Sequence, residues 1–172
     1  MNMLSSFEYL PDSADCWLYA ADRELAEEEV SLLESLFSSF EKDWSSHGRR
    51  VRGACRVLEK RIVVVAAHIE NGDISGCGID KSLHLLQEVA ESRSFNWASA
   101  LNIVFQGQDE QIHIVPRGHF KQLALDGGIG VDTPVVDLSI RNLGALREHG
   151  LLRPVKKSWH FRLLPALEQS VS

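Results

Sequence analysis

The chain has 172 residues, 44% of them apolar and 24% charged, with a net charge of -6 when histidine is neutral. That length suits one domain, or one with a small appendage, and a core that needs no covalent staples. The acidic balance excludes a basic nucleic-acid surface as the main feature, and no apolar run approaches the ~20 residues of a membrane helix.

The first residues, "MNMLSSFEYLPDSADCW", lack a basic segment followed by an apolar one, so they are not expected to be a secretory leader. Cys16, Cys55 and Cys77 are far apart and form no CxxC pair. An odd, sparse count fits a reducing cytoplasm better than a disulfide framework. No His/Cys spacing typical of zinc is present, so neither a metal nor another cofactor is expected.

In chain order, residues 16–20 read as a short strand. Asp22 is placed to cap a helix whose first turn, within "RELAEEE", is acidic and so suits the positive end of the helix dipole. Ala26, Val30, Leu33, Phe37, Phe40 and Trp44 then form one apolar stripe, with His47 and Gly48 at its end as a stop. Residues 51–58 alternate and residues 62–67 are almost wholly apolar and β-branched, which predicts a half-exposed strand hairpinned to a buried one. A second helix is predicted over residues 80–92, with Ile79, Leu83, Leu86 and Ala90 on one face. "ALNIVFQ" and "QIHIV", joined by "GQDE", predict another hairpin that Pro116 ends. "RGHFKQLAL" reads as a short helix, "TPVVDL" as an extended piece and "IRNLGALREHG" as a helix weakened by Gly144. "SWHFRLL" reads as a final strand or a docked tail.

The order β-α-β-β-α-β through Gln106 predicts an α+β fold. The specific expectation is a ferredoxin-like antiparallel sheet with two helices on one face. On this reading residues 14–106 form the ferredoxin-like domain and residues 107–172 a C-terminal α/β extension packed on the same core. Residues 1–13 form an N-terminal arm.

The stretch "ISGCGIDKS", residues 74–82, sets the candidate chemistry. Aligning Lys81 and Ser82 with a phosphate-binding G-x-x-x-x-G-K-[ST] loop puts Ser75 and Asp80 where glycines are needed. Asp80 would also set a negative charge beside the phosphates, so a triphosphate cradle is rejected. Cys77, shortly before a helix, is a candidate nucleophile, because a helix N-terminus stabilises a thiolate. It would need an imidazole base, with His47 and His160 as the candidates. The alternative is structural: Ser75 or Asp80 caps the helix and Cys77 packs as a small apolar side chain. Trp159 either anchors the tail or lines a pocket with Arg162, whose guanidinium suits a carboxylate or phosphate.

Four patches, "WSSHG", "SGCGIDKSLHLLQE", "TPVVD" and "SWHFRLL", together with the lead-in "FEYLPDSADCWLYAADRELAEEE", resemble a family of small bacterial proteins. Its members often carry the name "ABC transporter ATPase". The resemblance implies a shared site involving His47, Cys77, Asp80, Lys81 and Trp159. The name implies ATP binding, but this chain has neither a P-loop nor the signature "LSGGQ", so ATPase activity is not expected.

The sequence therefore predicts a non-enzymatic cytosolic module that binds a protein partner or a small ligand. An exposed sheet edge would allow a homodimer. Asp80, Lys81, Ser82, Trp159 and Arg162 are the candidate ligand contacts. The alternative is a cysteine-dependent hydrolase or transferase built on Cys77.

Overall fold

The computed structural model describes residues 7–166. The first six residues of the expected arm and the last six of the expected extension lie outside the described residues. The chain divides into two compact units. One comprises the described residues through Trp97 with Ser139–Arg147; the other comprises Ala98–Leu138 with the described residues from Glu148 onward.

The first unit is built on β1 (Asp15–Ala20), α1 (Glu27–Glu41), a small hairpin of β2 (Ser45–Ser46) and β3 (Arg49–Arg50), β4 (Arg52–Leu58), β5 (Ile62–His68) and α2 (Gly76–Ser92). The apolar run of β5 becomes the middle strand of a three-stranded antiparallel sheet, ordered β1-β5-β4. Residues buried on both faces of a strand must be apolar throughout, and Ile62 through Ala67 all are. Leu33 and Phe37 of α1 pack with Leu86, Val89 and Ala90 of α2 over Cys55, Val63, Val65 and Ala67, so both helices cover one face.

Several local expectations are corrected. α1 begins later than Asp22, with Ala26 at its N-cap, and the Glu29 carboxylate accepts the Ala26 N–H at 2.8 Å. Asp22 instead binds the backbone and side-chain amides of Asn96. α1 also ends before Trp44. His47 and Gly48, both at positive φ (49° and 75°), are the two-residue turn of the β2–β3 hairpin and not a helix stop. α2 starts four residues earlier than predicted, because Ser75 rather than Asp80 is its cap: the Ser75 hydroxyl accepts the Gly78 N–H.

The second unit holds β6 (Asn102–Gln106), β7 (Ile112–Pro116), α3 (Arg117–Leu125), β8 (Pro134–Val136) and β9 (Leu152–Pro154), in an antiparallel sheet ordered β7-β6-β8-β9. Its core is Ile103, Phe105, Phe120, Ala124, Ile129, Val135, Val155, Leu163 and Leu164. α4 (Leu143–His149) follows β8, and "SWHFRLL" forms a 3-10 turn over Trp159–Leu163 in place of a strand.

The chain is thus α+β with several antiparallel sheets, and the single ferredoxin-like sheet expected from the element order does not form. Its fourth strand would lie along the free edge of β1. There, among the described residues, only isolated bridges occur, Ala21 to Trp97 and Asp15 to Asn142. Trp97 is pinned by its ring against Tyr19 and Phe95 and by its indole N–H to the Leu86 carbonyl. The chain then leaves for the second sheet, where β6 buries Ile103 and Phe105, and comes back to β1 at Asn142. Among the described residues no helix is long and apolar enough to cross a membrane.

Candidate functional site

The four sequence patches pair up two by two. In the first unit the β2–β3 hairpin meets the first turn of α2. Trp44, fully buried, donates its indole N–H to the Gly78 carbonyl at 2.8 Å. The Ser46 hydroxyl lies 2.7 Å from that of Ser75 and accepts the Ser75 N–H. Lys81 donates to the Ser45 carbonyl at 3.2 Å. Gly78 has no positive φ; it is needed for closeness, since a Cβ there would sit 2.9 Å from Ile74 and 3.0 Å from Ser46.

This arrangement brings the hairpin that carries His47 against the turn that carries Cys77. Cys77 is exposed, and so are His47 and Asp80. Ser82 is buried, and its hydroxyl donates to the Ile79 carbonyl at 2.7 Å. Lys81 is exposed. Among the described residues no hydrogen bond joins the Cys77 thiol to an imidazole.

The other two patches meet in the second unit. The Trp159 indole N–H donates to Asp137 Oδ1 at 3.1 Å, and Arg153 approaches Oδ2 at 3.6 Å. His160, 2% exposed, stacks on Trp159 with centroids 4.0 Å apart, and its Nδ1 lies 2.9 Å from the Ser158 hydroxyl. Burial pulls the His160 pKa down to about 4; the charge of Asp137 opposes this and that of Arg153 adds to it. The buried ring is therefore neutral at pH 7. Arg162 is exposed. Trp159, His160 and Arg162 belong to the second unit, whereas His47, Cys77, Asp80, Lys81 and Ser82 belong to the first.

A cavity that the sequence did not mark lies within the second unit. It is an open depression of about 440 Å³ beside β6, β7 and α3. In the β6–β7 register His113 lies opposite Phe105 and Val115 opposite Ile103, which puts His113 and Val115 on the Phe105 face. Phe105, Val115, Leu123 and Ile129 form the apolar lining, and His113, His119, Gln108 and Asp109 add the polar groups.

The His113 ring, 42% exposed, has two partners. It stacks on Phe105, 5.4 Å between centroids and 24° between planes. Its Nε2 lies 2.9 and 3.0 Å from the two oxygens of Asp109. The tight hairpin loop supplies that carboxylate: Gly107 and Gln111 close the loop through N–H to C=O, and Asp109 turns back to accept the Gln111 N–H. These hydrogen bonds, His113 first and then Gln111, lower the Asp109 pKa below the ordinary carboxylate range. Gly107 makes the pairing possible, because a Cβ there would lie 2.6 Å from Asp109 Oδ1 and 2.7 Å from His113 Nε2.

An ionised carboxylate only accepts, so Nε2 donates to Asp109. Among the described residues no hydrogen bond reaches the other ring nitrogen, Nδ1. Among the described residues there is also no group of three or more His, Cys, Asp or Glu side chains that could hold a metal ion.

Two adjacent features of the sequence could have pointed here: the i, i+4 spacing of Asp109 and His113 across a turn, and a histidine in an apolar strand. Neither distinguishes a lined cavity from a solvated hairpin tip until the placement of α3 is known. No protein-family model, characterised protein or solved structure matches the chain.

Proposed function

We propose that this protein is a non-enzymatic binding module that takes a small, largely apolar ligand in the cavity of the second unit. The observation that carries the reading is the open pocket itself: about 440 Å³, lined by Phe105, Val115, Leu123 and Ile129 with the polar side chains of Gln108, Asp109, His113 and His119. Binding sites for small molecules have this make-up, in the range of about 300–1,000 Å³. The cysteine-enzyme alternative has less in its favour. Cys77 is exposed, but a nucleophile of that kind needs a base in hydrogen-bond reach, and none is bonded to it among the described residues.

The test is a neutral solvatochromic dye, Nile red, titrated into the full chain. Leu123, half-buried in the cavity wall, is replaced by Trp to fill the space. Wild type should enhance the dye's emission saturably, and Leu123→Trp should lower its affinity at least tenfold with an unchanged far-UV spectrum. Equal binding by both proteins would place the dye elsewhere and remove the reading.

A further inference from the structure

The chain is acidic overall, but its charge is not spread evenly. From His149 to Ala166 it holds Arg153, Lys156, Lys157 and Arg162 and no Asp or Glu. Lys156 pairs with Asp132, and Arg153 faces Asp137 at 3.6 Å. Lys157 and Arg162 are exposed, and among the described residues neither has an ion-pair or hydrogen-bond partner. Between them in the chain stands Trp159, 38% exposed. Its indole is held from two sides: the N–H is bound to Asp137, and one face lies on the buried His160 ring. The open part of the indole is therefore on the side away from His160. Among the described residues no other ring, guanidinium or ammonium group lies over it. Trp159 and Arg162 are three residues apart in one 3-10 turn, where side chains at i and i+3 eclipse. They form its outward ridge, while His160 and Leu163 form its buried one.

A fixed flat ring beside two unmatched positive charges narrows the partner. An acidic peptide would use the charges and leave the indole without a role. At a lipid surface the N–H of an interfacial Trp faces the headgroups, and here Asp137 already takes it. A duplex hides its base faces in its own stack. A single strand offers both a flat face on every base and a phosphate at every link. We propose that the Trp159 surface is a contact site for single-stranded nucleic acid, with one base stacked on the indole and neighbouring phosphates drawn to Lys157 and Arg162. The net charge of -6 keeps the contact weak and sensitive to salt. None of the three residues lines the pocket of the second unit, so this surface is separate from it.

The test follows the assigned indole N–H signals of the isotopically labelled full chain at low salt. Four titrants of matched length are compared: a single-stranded adenine octamer, an abasic strand with the same phosphates and no bases, the octamer annealed to its complement, and octaglutamate. The octamer should shift the Trp159 signal saturably. It should bind about tenfold more tightly than the abasic strand, the worth of one stacked base. The logarithm of its binding constant should fall with the logarithm of salt with a slope of about -1.4, as for two phosphates on a single strand. Arg162→Gln and Lys157→Gln change exposed, unpaired side chains, and each should reduce that slope by about 0.7.

Equal affinities for the octamer and the abasic strand would overturn the proposal, because the indole would then contribute nothing. Binding of the duplex or of octaglutamate as tight as that of the octamer would overturn it too, in favour of a contact set by charge alone. A Trp159 signal that no titrant moves, or a salt slope that both variants leave unchanged, would remove the site from this surface. The wild-type panel decides even where a variant does not fold, and none of these outcomes bears on the pocket.

Discussion

The imidazole of His160 shows how one buried side chain ties stability to pH. Burial lowers its pKa from 6.5 to about 4. In the unfolded chain the ring takes up a proton as pH falls below about 6.5, while in the folded protein it resists until about pH 4. The unfolded state therefore binds more protons across that window, and stability drops as the solution is acidified. The full effect is roughly 2–4 kcal/mol, complete below pH 4 and absent above pH 7. His160→Gln should be less stable than wild type at pH 7, because the ring packed on Trp159 is lost, yet lose less stability between pH 6.5 and pH 4. Urea denaturation at half-unit pH steps reads both slopes, and parallel slopes would show that His160 does not set the acid limb. In the sequence "SWHFRLL" the aromatic content was plain, but the reason for it was not. Asp137, which receives the Trp159 N–H, is 22 positions away, and no local spacing announces such a partner.

Elements differ in how much of their arrangement is written locally. The stripe of α1 and the apolar run of β5 were legible because burial imposes a period of its own on a helix and on a central strand. The His47-Gly48 hairpin was not legible, since His is less usual than Asn or Asp at a positive-φ turn position. Nor does alternation say which sheet a strand joins, and β6 pairs in the second sheet and not beside β1. The β4 edge makes the same point about partners. An open edge is one route to a homodimer, but here side chains already meet its outward groups. Glu34 accepts the Val57 N–H at 2.9 Å, Glu41 accepts the Gly53 N–H at 3.4 Å, and the Tyr9 hydroxyl donates to the Gly53 carbonyl at 2.7 Å. Glu34 also faces Arg56 at 3.7 Å. Glu34→Ala should uncover the Val57 amide, cost about 1–2 kcal/mol in urea denaturation and raise the apparent mass in light scattering as concentration increases. A variant as stable as wild type, with a mass independent of concentration, would mean that the carboxylate does not guard the edge.

On the scale of the whole molecule, the first unit is discontinuous in sequence, and its stability depends on a segment that arrives late. The residues through Trp97 contain β1, α1, β4, β5 and α2, which looks like enough for a small sheet with two helices. Yet the start of β1 is completed from Ser139–Arg147. The Cys16 N–H donates to the Arg141 carbonyl, and the Leu143 and Gly144 N–H groups donate to the carbonyls of Ala14 and Asp12. Arg147 donates to the carbonyls of Phe7 and Leu10 and pairs with Asp12. Gly144 lets this happen: a Cβ would fall 2.9 Å from the Asp12 side chain. The glycine that weakens α4 as a helix is thus the residue that lets α4 approach the chain before β1. Leu143 and Leu146 are fully buried. Losing a buried leucine side chain costs about 2–5 kcal/mol, and the freed backbone groups add to it. Against a usual total of 5–15 kcal/mol, a fragment ending at Trp97 should lose most of its stability. It should show no cooperative urea transition, or one at a much lower midpoint than a protein that retains residues 139–147. Supplying those nine residues as a separate peptide at high concentration should recover part of the transition by mass action. If the fragment alone unfolds at the full-length midpoint, the late segment is an ornament on a domain that was already complete.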